Sequence, residues 1–457
     1  MSTAEFHLPS SDAVGRLGQL IQCQTISSRI AEASVSGAFE RLFAILPEFY
    51  PAIWSHARVD AQPPWRLIVE VPGTRRELEP VLFLAHFDVV DVEQGTTGEW
   101  VHPPFAGVSD AEFIWGRGAI DDKSVFCALL ESLEQMLASE VPFARGVVLA
   151  FGGDEELSGH HGARTIAREF EEAGRRFHFI LDEGGVIASG MLSTPTEPIA
   201  LIGVSEKGFC NILIEADATG GHASMPPRQT AVGHVARAIT RIERSPFRGR
   251  LLPSIRTFFA ALVPASRGPQ RLFYRHLRLL WPLFSRVLSG RGSTDALIRT
   301  TQAATVLHGS NAANVLPQSA AVIINNRILP GDTTEMVLAH YTRLLRDLPV
   351  SVSLDPESEH TEPVSETRTD HPGYLAVVRL CRELFPQAIP APFLVTGSTD
   401  SKWYRNLSDA IIRFVPVTMT NEDLARVHGT NERIEIRAFK GLIVFYRRLL
   451  EEACSNG

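Results

Sequence analysis

Two kinds of hydrophobic pattern run along this chain, and they give way to a third texture near residue 206. Short apolar runs at Val81–Ala85, Val147–Phe151 and Phe177–Leu181, broken only by His178 in the last, alternate with stretches whose apolar residues recur every three or four positions. An unbroken run rich in Val, Leu, Ile and Phe predicts a strand covered on both faces; three-to-four spacing predicts an amphipathic helix. The helical stretches are 11–50, Ser124–Leu137 and about His161–Ala173. The first carries Val14, Leu17, Leu20 and Ile21 on one face and a second stripe from Phe39 to Leu46, and Pro47 and Pro51 are expected to close it. Trp65–Val71 reads as a further short strand. Strand and helix in alternation predict an α/β sheet whose ligand crevice lies beyond the carboxyl ends of its strands.

From about Glu206 the pattern is that of a small α+β unit. Phe209–Glu215 and the alternating Ala320–Ile328 read as strands and Ala231–Ile242 as a helix. Residues 246–300 are rich in Arg, Pro, Phe and Leu, and Leu272–Leu288 reads as a helical, partly apolar arm. The α/β texture returns with a helix at Tyr374–Leu384, a strand at Ala410–Val415 and a final helix at about Arg437–Glu452. A chain of 457 residues exceeds what one core serves. The expected organisation is one domain formed by 1–205 and 363–457, interrupted by a second over 206–362.

Ligand-type residues stand where the apolar runs stop. His86 and Asp88 follow the first run, Asp154-Glu155-Glu156 the second, and Asp182-Glu183 the third; Asp121-Asp122 and His428 lie in glycine-containing loops. A single histidine behind a strand is most simply a satisfied core residue, but five such clusters, three of them at strand ends, point to metal. The candidate ligands are His86, Asp121, Glu156, Asp182 or its neighbour Glu183, and His428. Two imidazoles with three carboxylates suit a pair of divalent cations such as zinc. Two dications about 3.5–4 Å apart need a shared ligand, and Asp121, held in a tight glycine-bearing loop, is the best bridge. Adjacent side chains diverge, so while Glu156 ligates, Glu155 stays free to act as general base.

Composition narrows the class. Hydrophobic residues make up 44% and charged residues 21%, an ordinary globular balance. The net charge of −8 argues against nucleic acid or an anionic membrane as the main partner. The five cysteines are scattered without CxxC spacing and read as reduced thiols. Met1–Leu20 has no leader pattern and no run has the length of a membrane span, so a cytoplasmic protein is expected.

The set His-x-Asp at 86–88, Gly-Arg-Gly-Ala-x-Asp-Asp-Lys at 116–123, Gly-Asp-Glu-Glu at 153–156, Leu-Asp-Glu-Gly-Gly at 181–185 and a late His428 resembles the M20 family of di-zinc metallopeptidases. Within it, the chain is similar to the branch containing Gly-X carboxypeptidase and the N-fatty-acyl-amino-acid hydrolase/synthase. The resemblance spans nearly the whole chain. It implies a mixed-sheet zinc-exopeptidase catalytic domain (phosphorylase/hydrolase-like, α/β) with an inserted α+β lid and dimerisation domain. It further implies one zinc held by His86, Asp121 and Asp182 and another by Asp121, Glu156 and His428, with Asp88 as supporting acid and Glu155 as base. In some relatives the fourth ligand matches Glu183. The same resemblance makes the Asp121–Asp122 peptide cis. His222, in Gly220–Pro226, matches a lid histidine that stabilises the oxyanion, often across a dimer interface. Asn314 and Arg327 match substrate-positioning residues, the arginine suited to clamping a carboxylate. Ser398 and Thr399 add hydroxyl and amide donors.

The expected activity is hydrolysis of an amide beside a free carboxylate, in short peptides or N-acyl amino acids. Synthesis and hydrolysis of long-chain N-acyl amino acids would use the same site. An inactive metal-binding scaffold is the third reading, and the intact Glu155 and ligand set argue against it. Residues 246–300, with Phe258, Phe259, Phe273, Tyr274 and Trp281, exceed a minimal lid; they read as core of an enlarged lid, with an acyl channel as the alternative.

Overall fold

The computed structural model describes residues 12–139, 142–190 and 195–455, and buries every residue of the Val81–His86 and Val147–Gly152 strands. The unbroken apolar pattern has a direct cause. Val81, Phe83 and Ala85 face one hydrophobic cluster and Leu82 and Leu84 another, so neither side of the strand meets water. Fully burying each large apolar side chain stabilises by about 1.5–3 kcal/mol, which commits these runs to the interior. The two strands pair in parallel inside a ten-stranded mixed sheet. Its path runs Arg58–Gln62, Arg66–Val71, Val147–Gly152, Val81–His86, Ile180–Asp182, Ile411–Arg413 and Ile199–Glu206, ending in the short strands Ile187–Ala188 and Thr418–Met419. The helices Ala13–Gln22, Lys123–Ala138 and Ile436–Leu450 cover one face, and Ala163–Glu172 covers the other.

Several elements differ from the sequence pattern. The helix Ala33–Phe49 runs through Pro47, held by the buried side chains of Phe39, Leu42 and Leu46. Pro51 opens the next helix, Pro51–His56, at a position where its missing N–H costs nothing. The strand Ile389–Val395 is hidden in the sequence by Pro390 and Pro392; among the described residues it pairs with Ile199–Glu206 alone, and an edge strand tolerates prolines. Most of the N-terminal stretch searched for a leader lies outside the described residues.

A second, antiparallel sheet of four strands follows the order Thr301–His308, Ser319–Ile328, Gly208–Asp217, Ser351–Leu354. Cys210, Ile212, Ile214 and Ala216 meet Ala320, Val322 and Ile324 on its inner face, under the helices Ala231–Glu243 and Thr334–Leu344. Thr301–His308 escapes sequence detection because its outer residues are exposed and carry no apolar stripe.

The 246–300 segment is not the core of this smaller sheet. Leu272–Leu288 forms two helices, Gly268–Arg275 and Trp281–Leu288, behind a third at Pro253–Leu262. Ile255, Phe258, Phe259, Phe284 and Leu288 pack instead on Ile199, Ala391 and Leu394 of the large sheet. These side chains close on one another and on the sheet, so they fill space rather than line a channel.

Candidate metal centre and active site

Strand ends bring the ligand-type residues together. His86 closes its strand, and its Nδ1 lies 3.1 Å from the Asp88 carbonyl and 3.3 Å from the Asp88 carboxylate. That contact leaves Nε2 to face outward, where it lies 3.0 Å from Asp121 Oδ1. Asp88, fully buried, also accepts the backbone N–H groups of Glu155 and Glu156 at 3.1 and 3.2 Å. One carboxylate thus orients the histidine and fixes the turn that carries both glutamates.

Asp121 uses its two oxygens separately: Oδ1 faces His86, and Oδ2 lies 3.1 Å from His428 Nε2. His428 Nε2 is in turn 3.2 Å from Glu156 Oε1. His428 is reached by a turn at φ +61°, a left-handed conformation uncommon for a side-chain-bearing residue and typical of functional positions. The Asp121–Asp122 peptide is cis. Glu432, fully buried, accepts the N–H groups of Gly118, Ile120 and Asp121 at 3.0, 2.8 and 3.2 Å and pairs with Arg117 at 2.6 Å. Arg117 also donates to the His428 carbonyl at 3.0 Å. Gly118 at φ +90° allows this wrapping, since a Cβ there would lie 2.8 Å from Val89 Cγ1. A buried pair therefore ties the Asp121 loop to the His428 loop.

Of the two candidates Asp182 and Glu183, it is the second whose carboxylate comes near His86. Asp182 ends its strand and accepts the Ser401 N–H at 2.9 Å, whereas Glu183 brings Oε1 to 3.6 Å from His86 Nε2. Successive side chains on a strand project to opposite sides, and the strand ends one residue short of the cleft. His86, Asp121 and Glu156 offer ligand atoms all within 4.8 Å of one another, and so do His86, Glu155 and Glu183.

The charges of this cluster are unbalanced. Burial raises the Glu155 and Glu183 carboxyls well above their ordinary range, with nearby Asp400 and Glu156 adding for the first and Asp121 and Asp122 for the second. Burial acts the same way on Asp121, but hydrogen bonds from His428 and His86 overcome it and hold that carboxyl low. Contacts with Asp121 and Glu156 push His428 up to about 10. So many carboxylates around two imidazoles, with one carboxylate bridging them, form a donor set suited to two divalent cations.

The cluster opens into a cleft of about 460 Å³ whose lining includes Asp121, Glu155, Glu156, Glu183, His428 and, from the smaller sheet, Arg327. Arg327 stacks 4.9 Å above the Phe209 ring, and no carboxylate pairs with it among the described residues. Ser398 and Thr399 also line the cleft; the Thr399 hydroxyl is bound to Glu206, which in turn holds Arg413. His222 and Asn314 are not part of this lining. Both stand exposed, His222 at the end of the short strand Gly221–His222 and Asn314 in the turn before its partner strand Val315–Leu316, with the Ala223 N–H donating to the Asn314 carbonyl at 3.0 Å and His222 Nδ1 2.7 Å from the Ser224 hydroxyl.

Residues 82–452 match the pattern of peptidase family M20/M25/M40. The chain belongs to this family. It is 35% identical over 443 residues to the "Probable carboxypeptidase S-like 2" protein of Dictyostelium discoideum, covering 95% of this chain and 84% of that protein. It is likewise 35% identical over 395 residues to the N-fatty-acyl-amino acid synthase/hydrolase of Homo sapiens, covering 84% and 76% of the two. Among solved structures, the M20 family metallo-carboxypeptidase Sso-CP2 of Sulfolobus solfataricus shares the fold with a TM-score of 0.67 at 14% identity, over 97% of this chain and 99% of that one. Human carnosine dipeptidase 1 does so with a TM-score of 0.63 at 16% identity, over 97% and 96%. The protein is thus an M20-family hydrolase with the expected α/β mixed-sheet fold.

Three residues of this M20 peptidase escaped the sequence. Glu432 stands four residues after His428 with nothing local to mark it. Lys402, buried and lining the cleft, sits four residues beyond Ser398. Phe393, which also lines the cleft, lay in the unrecognised proline-bearing strand.

Proposed function

We propose that this protein hydrolyses an amide bond next to a free carboxylate, releasing an amino acid from short peptides or N-acyl amino acids. The observation that carries the reading is one cleft lined by both Glu155 and Arg327, which has no carboxylate partner among the described residues, beside the histidine–carboxylate cluster. His86, Asp121 and Glu183 would hold one divalent cation and Asp121, Glu156 and His428 the other, zinc being the natural fit to this donor set. Such ions supply Lewis-acid polarisation of the carbonyl and acidify a water at neutral pH. Glu155 takes that water's proton and delivers it to the leaving nitrogen. Asp88 keeps the His86 ring and the Glu155 turn aligned. Arg327 binds the substrate carboxylate through two parallel hydrogen bonds, and Ser398 lines the same end of the cleft.

In this reading 206–362 is a lid and dimerisation domain, and the exposed His222 and Asn314 serve a partner chain's cleft in a homodimer. The five cysteines, all free and buried, fit a reducing cytoplasm; among the described residues no helix is long and apolar enough to cross a membrane. Long-chain N-acyl amino acids are the second substrate class, favoured by the apolar Phe393 and Val395 in the lining and by the names of the relatives.

The test is an assay of purified protein against dipeptides and N-acyl amino acids, with metal analysis and chelator. Activity with close to two ions per chain, lost on chelation, is expected; full activity without metal refutes the mechanism. Two lid variants separate binding from chemistry. Arg327→Ala is expected to raise KM and erase the preference for a free carboxylate, while His222→Ala lowers kcat and leaves metal content unchanged. Mixing His222→Ala with Glu155→Ala protein restores part of the activity if the histidine crosses the dimer. Absence of recovery despite subunit exchange removes that part of the reading.

A further inference from the structure

Charge is distributed very unevenly along this chain. Residues 244–294 contain ten arginines and no aspartate, glutamate or lysine, in a protein of net charge −8. The remainder therefore carries −18 (−8 for the whole, +10 for the segment). This segment holds the three helices that pack on the large sheet.

Their inner sides are used, and their outer sides are not. Leu277, Phe284 and Leu288 are buried against the sheet. Backbone hydrogen bonds from Leu280 to His276 and from Phe284 to Leu280 continue the helical path through this stretch. Residues four apart then lie on one face, and Leu279, Leu283 and Val287 occupy the face opposite the core. They are 80%, 53% and 63% exposed, and Leu272 on the preceding helix is 61% exposed. Leucines this open on one short segment are unusual for a surface that meets only water. Beside them is a groove of about 370 Å³ lined by Arg256, Arg275, Arg278, His276, Tyr274 and Leu279, with no carboxylate in the lining. Arg271, Arg275, Arg278 and Arg286 are exposed, and none forms an ion pair among the described residues.

We propose that this helical insert is a docking surface for an anionic lipid bilayer. Leu272, Leu279, Leu283 and Val287 would enter the acyl boundary while the arginines engage lipid phosphates, the groove at Arg275 and Arg278 taking a headgroup. Apolar residues ringed by arginine on helices are the composition of an interfacial surface. A nucleic acid offers phosphates but nothing for the leucines. A second copy of this face would bring arginine against arginine, because a two-fold contact pairs a patch with itself. The acidic remainder of the chain is repelled by the same bilayer, which orients the molecule with this face down. Whole-chain charge, which argued against a membrane partner, hides this local reversal. The inner side of the insert reaches the cleft wall: Phe258 lies 6.3 Å, ring to ring, from Phe393, which lines the cleft.

The experiment is sedimentation of the intact protein with vesicles of phosphatidylcholine alone or mixed equally with phosphatidylglycerol, at low and high salt and without substrate. The protein is expected to sediment with the anionic vesicles and be released by salt. The double variants Leu279→Glu/Leu283→Glu and Arg275→Glu/Arg278→Glu should each lower the bound fraction about tenfold or more. Both alter exposed side chains, and unchanged thermal unfolding would establish that they fold. Absence of binding to anionic vesicles, equal binding to phosphatidylcholine alone, or wild-type binding by both variants each overturns the proposal. So does a lipid-free dimer that Leu279→Glu/Leu283→Glu dissociates, which would assign the face to a second copy. Because no substrate is present, the outcome is independent of the hydrolytic reading.

Discussion

Glu155→Gln is expected to lower kcat by about 10²–10⁴-fold while leaving fold and metal content intact. The amide keeps the shape of the carboxylate but cannot take a proton from water or pass one to a leaving amine. Nothing else in the turn needs to move, because Asp88 holds residues 155 and 156 through their backbone N–H groups, which the substitution preserves. The loss should therefore fall on turnover rather than KM. Steady-state kinetics with metal analysis of the same sample measures both. Near-normal turnover would exclude Glu155 as the base, and loss of metal would recast it as a ligand, a role its position within 4.8 Å of ligand atoms on His86 and Glu183 makes geometrically open.

Glu432→Ala is expected to cost about 3–5 kcal/mol of stability, because truncating one partner of a buried ion pair leaves the other charge uncompensated. Here the stranded partner is Arg117, almost fully buried, and three backbone N–H groups of the Asp121 loop lose their acceptor as well. Glu432→Gln keeps the volume and one acceptor oxygen, so it should fold with a smaller loss. Its more telling effect is on the metal centre. With the loop less firmly held, affinity for divalent ions is expected to fall about 10–100-fold, the usual cost of removing support behind a ligand. Thermal unfolding and competition with a chelator measure the two effects separately. Unchanged metal affinity in Glu432→Gln would mean that the Asp121 carboxylate is positioned without it.

These two residues mark the boundary of what was legible in the chain. Glu155 could be read because it follows Val147–Phe151, whose burial on both faces leaves no other placement for the acidic triplet than the strand's carboxyl end. His86 and Asp88 were legible for the same reason. The Asp121–Asp122 peptide is cis, as the family resemblance implied, and Asp121 lies between His86 and His428. Glu432 offered no local pattern: its partners are more than 310 residues away, and only folding brings Arg117 and the Asp121 loop to it.

What the sequence determined by itself is the set of segments whose environment is dictated by their own periodicity, together with the chemistry standing at their ends. That covers the buried strands, the helices Lys123–Ala138 and Ile436–Leu450, and the acids and histidines available to a cleft. Tertiary structure decided everything that turns on register or on a distant neighbour. It chose Glu183 over Asp182, because one residue of strand end reverses which side chain faces His86. It made Ile389–Val395 a strand despite its prolines, because an edge needs hydrogen bonds on one side only. It also put the arginine-rich helices on the large sheet rather than inside the smaller one. An apolar stripe specifies that a helix must be covered; which surface covers it depends on shapes that exist only once the sheet has formed.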